Sequence, residues 1–314
     1  MTIKVFYNDD LSITSKSPYP IPTERKAAAF VKALGWDKDI IYHGLVEYYE
    51  TFDVGTEAYV EFNLRRVHSK YYFENAKPGW GQRRNALAHN TILFKAVNHA
   101  QLTRGVAFAP VSGFHHAGYD YGWGFCTFNG LVAAALELQG RVLILDGDQH
   151  EGDGSIDIID RLDLSDRIHN HSIESWDDIP DFEGYDHIIY QAGADSHYLD
   201  GGYLNDETWV KRDQLVFQQA KEHNVPITVT FAGGYSALGK VVDLHLSTYW
   251  TATEVYYGRE FLAEIRREIA LNGGERTWDL SASTQLALYG ELARDGGAGT
   301  RGEFHRHSEQ GLHH

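Results

Sequence analysis

Residues 141–154 read RVLILDGDQHEGDG. A short apolar run, rich in branched side chains, gives way at once to Asp146, Asp148, His150, Glu151 and Asp153, spaced by glycines. A run of this length and composition reads as a strand buried on both faces, ending in a polar turn. Three more stretches have the same form: residues 105–111 (GVAFAPV), 187–191 (HIIYQ) and 226–231 (PITVTF). Helical patterns lie between them. Residues 86–101 and 129–138 carry apolar stripes at helical spacing, and residues 205–224 open on Asn205 as a cap with Asp206 and Glu207 in the first turn. Strand alternating with helix predicts an α/β fold in three αβα layers, with a central, mostly parallel sheet.

The flanks extend this pattern. Residues 3–7 and 40–43 read as further strands, and residues 251–269 as another helix. Residues 77–84 (KPGWGQRR) are loop-like and display Trp80. Beyond Gly273 strand-like runs cease, so the expected division is a catalytic unit over 1–272 and a polar, Gly- and His-rich extension over 273–314. The single cysteine, Cys126, excludes a disulfide framework and a Cys-built zinc module. The first residues lack the basic and apolar regions of a signal peptide, and no apolar run approaches the roughly 20 residues that span a bilayer. A cytoplasmic protein without membrane contact is the expectation. The net charge of −16 repels nucleic-acid phosphates and mildly favours cationic ligands.

In open parallel sheets, ligands bind beyond the carboxyl ends of the strands. The four strands are followed by residues 112–117 (SGFHHA), 146–154 (DGDQHEGDG), 192–197 (AGADSH) and 232–236 (AGGYS). Asp148 and His150 alternate in an extended segment, so both reach one side. With Asp195 they make a site of two carboxylates and one imidazole, the ligand pattern of a catalytic zinc. Each residue has a plainer use, since Asp after a strand is often a helix cap or turn former. Their register at four strand ends favours the metal. His115 and His116 suit a general acid and base, with Asp146 and Asp153 placed to fix their tautomers. Tyr235, after a Gly-Gly turn, suits an oxyanion donor.

These motifs resemble the zinc-dependent histone deacetylase family, including the bacterial acetylpolyamine amidohydrolases. The resemblance runs in order through residues 67–71 (VHSKY), 114–117 (FHHA), 124–129 (GFCTFN), 146–154, 193–195 (GAD) and 232–235 (AGGY). It implies the arginase/deacetylase fold. It also implies one Zn²⁺ on Asp148, His150 and Asp195, His115 and His116 as acid–base pair held by Asp146 and Asp153, and Tyr235 as oxyanion donor. Gly124 and Phe125 would line the substrate tunnel. A monovalent cation such as K⁺ is implied near Asp146, Asp148, His150, Ser172 and Ile173. The chain departs from the pattern at Phe114, where the family has glycine, and at Glu151, where it has a second histidine. The stretch from Ser172 to Asp195 is short for a tunnel wall, so the site is either more open or closed by a second copy in a homo-oligomer. No acid in residues 77–84 matches the family's peptide-positioning carboxylate.

The expected activity is a zinc-dependent removal of acetyl, or another small acyl group, from an amine. A small acetylated amine is expected over an acetyl-lysine peptide, with Trp80 stacking on a cationic amine. Two alternatives stay open: an arginase-like ureohydrolase and a non-catalytic zinc-binding relative. The former wants carboxylates where Gly152 and His197 stand.

Overall fold

The computed structural model describes residues 2–12, 25–36, 44–76 and 83–271. The four apolar runs form the middle of one sheet: β3 (Val106–Ala109), β4 (Val142–Asp146), β6 (His187–Ala192) and β7 (Ile227–Phe231). Every residue in them is buried, because helices cover both faces. β1 (Lys4–Tyr7) and β2 (Val46–Tyr48) extend one edge, and β5 (Ile168–Ser172) forms the other. The order is β2-β1-β3-β7-β6-β4-β5, and every pairing is parallel.

β5 reads Ile-His-Asn-His-Ser and carries no apolar run, which is why sequence patterning passes over it. As an edge strand it pairs with β4 alone and is only partly covered. The strand expected at residues 40–43 lies outside the described residues, and the observed edge strand follows it at β2.

Each helix buries an apolar face on this sheet or on a neighbour. On one side α2 (Val54–Val67), α4 (Arg83–Thr103) and α5 (Gly130–Glu137) pack together. On α4 the stripe Ala88, Ile92, Leu93, Ala96, Val97 and Ala100 is buried at helical spacing. On the other side α1 (Lys26–Ala33), α7 (Asp206–Glu222), α8 (Leu238–Tyr257) and α9 (Arg259–Leu271) form a second group. The short α3 (Lys70–Asn75) follows α2, and α6 (Asp153–Arg161) joins β4 to β5. Helices on both faces of the sheet give the three αβα layers expected. The helix expected over residues 251–269 is two helices. Gly258 at φ 88° ends α8, a backbone angle that breaks helical geometry, and α9 starts afresh.

A satellite core of Ala194, Leu204, Trp209, Val210, Val241 and Leu244 lies under the chain that follows β6. Residues 273–314, expected as an extension, lie outside the described residues. Among the described residues no helix is long and apolar enough to cross a membrane.

Candidate metal centre

The inner strands lie in the order β3-β7-β6-β4, with Ala109 opposite Thr230, Thr230 opposite Gln191, and Gln191 opposite Asp146. This register brings the four polar segments to one rim. There Asp148, His150 and Asp195 each offer an atom within 4.8 Å of the others. The carboxylates are buried, while the His150 ring is half-exposed. His150 Nδ1 faces both, 3.0 Å from Asp148 Oδ1 and 3.2 Å from Asp195 Oδ2. Backbone amides hold the acids in place: Gly233 N donates to Asp148 Oδ2 at 2.7 Å, and Gln149 N to Asp195 Oδ1 at 3.3 Å. Gly233 admits no side chain, since a Cβ there would meet Asp195 Oδ2 at 2.1 Å.

Two buried carboxylates this close repel each other's charge. Burial first, then Asp148, raises the Asp195 pKa. A divalent cation reverses that logic, because it neutralises both. The donor set therefore fits Zn²⁺: two carboxylates and one imidazole turned to a common point. The fully buried Lys26 ammonium stands behind the centre, donating to the carbonyl of Ala232. Burial lowers its pKa to about 8, against the charges of Asp195, Asp148 and Asp200.

The histidine pair sits beside this centre, with ring centroids 4.0 Å apart. His115 Nδ1 bonds Asp146 Oδ2 at 2.9 Å, and its Nε2 lies 3.9 Å from Asp148 Oδ2. Burial alone would lower the His115 pKa, but Asp146, with help from Asp148 and Asp195, raises it to about 9. His116 Nδ1 bonds Asp153 Oδ1 at 2.6 Å. Burial, then the charge of His115, lowers its pKa. The two rings thus differ in basicity although they are neighbours in sequence.

The rings of Phe125 and Tyr235 are neighbours, with centroids 6.0 Å apart, and both residues are exposed. Phe125 stands at φ 65°, a left-handed angle uncommon outside glycine. Gly124 before it is also left-handed, and a Cβ there would strike His116 Cδ2 at 2.5 Å. Tyr235 N donates to Asp200 Oδ2 at 2.7 Å. Burial, then Asp148 and Asp195, pushes the Tyr235 hydroxyl pKa up, so it stays a donor.

Two supports were not legible in sequence. Gln191 Nε2 donates to Asp146 Oδ1 at 2.7 Å. Arg212, wholly buried, donates to Ser196 Oγ at 3.0 Å and pairs with Asp213, bracing the segment that carries Asp195. Both come from regular elements with no motif of their own. Trp80, expected over the substrate, lies outside the described residues.

The histone deacetylase domain matches residues 56–178, a span that holds both histidines, Asp146, Asp148, His150 and Asp153 but ends before Asp195. Over that span the chain is similar to the histone deacetylases. A Picosynechococcus protein, described as uncharacterized, is 27% identical over 49% of this chain and 65% of its own length. Histone deacetylase 2 of Arabidopsis thaliana is 26% identical over 42% of this chain and 45% of its own. The chain thus spans less than two thirds of the length of these two relatives. Among solved structures, the HDA15 HD domain aligns with a TM-score of 0.62 at 15% identity, covering 94% of this chain and 99% of that one. Acetylpolyamine aminohydrolase from Burkholderia pseudomallei aligns with a TM-score of 0.57 at 16% identity, covering 81% and 99%. Both structures share the fold.

Proposed function

We propose that the protein is a zinc-dependent amide hydrolase that removes acetyl, or another small acyl group, from an amine. The observation that carries the reading is the rim itself. Asp148, His150 and Asp195 converge within 4.8 Å beside two histidines, each tied to its own carboxylate. Zinc, when bound, supplies Lewis acidity that polarises an amide carbonyl and acidifies water. The chain's residues manage the protons. His116, neutral near pH 7, accepts a proton from the attacking water. His115, held protonated by Asp146, donates one to the leaving amine. The Tyr235 hydroxyl donates a hydrogen bond to the oxygen that gains charge.

A monovalent cation such as K⁺ suits the other side of Asp146. Ser172 Oγ and both amide atoms of Asn170 are buried there without a hydrogen-bond partner. Asn170 was not among the residues expected at that site. A cytoplasmic setting goes with the single buried thiol, Cys126.

For the substrate we favour a small acetylated amine. The Burkholderia neighbour is an acetylpolyamine aminohydrolase by name. Phe125 and Tyr235 stand exposed as neighbouring rings, and the acidic chain weakly favours cations. An arginase-like reading finds no second carboxylate pair. Gly152 has no side chain, and His197 is buried against Trp209 with Nε2 3.1 Å from Asp206.

The test is metal content of the purified protein together with kcat/KM on acetylputrescine and on an acetyl-lysine peptide. About one zinc per chain and a preference for acetylputrescine are expected. A clear peptide preference at physiological salt overturns the substrate class. Two metals per chain, or no hydrolysis of either amide, overturns the reaction.

A further inference from the structure

The two histidines are held differently. Asp146, the partner of His115, is fully buried and accepts further bonds from Gln191 Nε2 at 2.7 Å and Asp148 N at 3.1 Å. Asp153, the partner of His116, has a side chain 39% exposed. Its Oδ1 also accepts from Gly154 N at 2.9 Å, which leaves Oδ2 as the oxygen that sets how the carboxylate is turned. Here Trp123 Nε1 donates to Asp153 Oδ2 at 2.9 Å, while Oδ1 takes His116 Nδ1 at 2.6 Å. The same indole lies against the His116 ring, with centroids 4.0 Å apart and planes inclined by 32°. The turn beyond it is closed by Cys126 N on the carbonyl of Trp123 at 2.8 Å. Yet Trp123 is 53% exposed, so its ring is not there to fill a core.

We propose that Trp123 is a positioning residue that locks the Asp153–His116 pair, its N–H fixing the carboxylate and its ring fixing the imidazole plane. It does for the exposed pair what Gln191 does for the buried one. The proposal rests on the deacetylase reading for its kinetic test and on the geometry alone for its spectroscopic test.

The kinetic test is a double-mutant cycle on the zinc-loaded protein with acetylputrescine. Trp123→Phe keeps a ring and removes the N–H. It should lower kcat about tenfold with KM within twofold, and leave zinc content and thermal midpoint unchanged, as for loss of one well-placed hydrogen bond of about 1.4 kcal/mol. In an Asp153→Ala background the same change should cost less than twofold, because the group through which Trp123 acts is gone. An equal loss in both backgrounds, or no loss in either, overturns the proposal. The second readout is the ¹⁵N spectrum of the His116 imidazole in the same zinc-loaded protein. A single Nδ1–H tautomer in the parent and a tautomer mixture in Trp123→Phe support the lock. An identical spectrum refutes it. If the parent hydrolyses no acetyl-amine, the enzymatic reading fails and the spectrum still decides the role of Trp123.

Discussion

His115 and His116 share a peptide bond in the loop after β3, and their surroundings drive them apart. Asp146, backed by Asp148 and Asp195, holds His115 up to about 9, whereas burial and the charge of His115 hold His116 down. Without a metal, one ring is thereby charged and its neighbour neutral near pH 7, a difference of the kind that acid–base catalysis uses. Neither nitrogen of His116 belongs to the converging ligand set. His116→Ala should therefore cut kcat about 100-fold or more while zinc content, measured by elemental analysis, stays at the parent level. Release of zinc would overturn the division of roles. Asp195→Asn should do the reverse, because a ligand charge is lost. Zinc content falls and activity disappears, while the circular dichroism spectrum is kept.

At the scale of elements, the turn between β7 and α8 shapes the centre as much as the ligands do. Gly233 offers its N–H to Asp148 and would place a Cβ 2.1 Å from Asp195 Oδ2. Gly233→Ala should displace that carboxylate and weaken zinc binding by about tenfold or more, the usual order for changes around metal ligands. Competition with a chelator reads it, and unchanged affinity would show that the turn yields. The cap of α7 gives a contrast. Asn205 and Thr208 form a capping box, with Asn205 Oδ1 accepting from Thr208 N at 2.9 Å and Thr208 Oγ1 accepting from Asn205 N at 2.9 Å. Asn205→Ala should cost about 1 kcal/mol of stability, read by denaturant unfolding, with kcat/KM unchanged.

At the scale of the whole molecule, several imidazoles among the described residues are buried. Burial lowers the pKa of His68, His89 and His197 to about 4 and that of His187 to about 3. His68 shows why: its Nδ1 lies 2.8 Å from the carbonyl of Gly118, and its Nε2 accepts from Asn129 N at 2.9 Å, a bond the protonated ring cannot make. In the unfolded chain these rings bind protons below about 6.5, the ordinary histidine value, while in the fold they resist until about 4 or lower. Their contribution is thus complete above pH 6.5 and is lost as pH falls toward 4. For His68 alone the shift corresponds to about 3 kcal/mol. The thermal midpoint should fall between pH 7 and pH 5. His68→Asn, less stable at pH 7, should show a shallower fall, and equal slopes would remove His68 from the account.

What the sequence by itself determined is the inner sheet and the content of its rim. Strands buried on both faces must be apolar along their whole length, so β3, β4, β6 and β7 are legible from composition, and the polar residues just past them fall together once the strands are parallel. Edge strands escape that logic: β5 faces partial cover and reads His-Asn-His. The break at Gly258 is hidden because α8 and α9 are both helical on either side of one left-handed residue. Only the tertiary structure decided which ring binds which carboxylate, that Gln191 and Arg212 stand behind the centre, and that Trp123 covers His116. Those contacts join strands and helices far apart in the chain, and local spacing carries no information about the angle at which such elements meet.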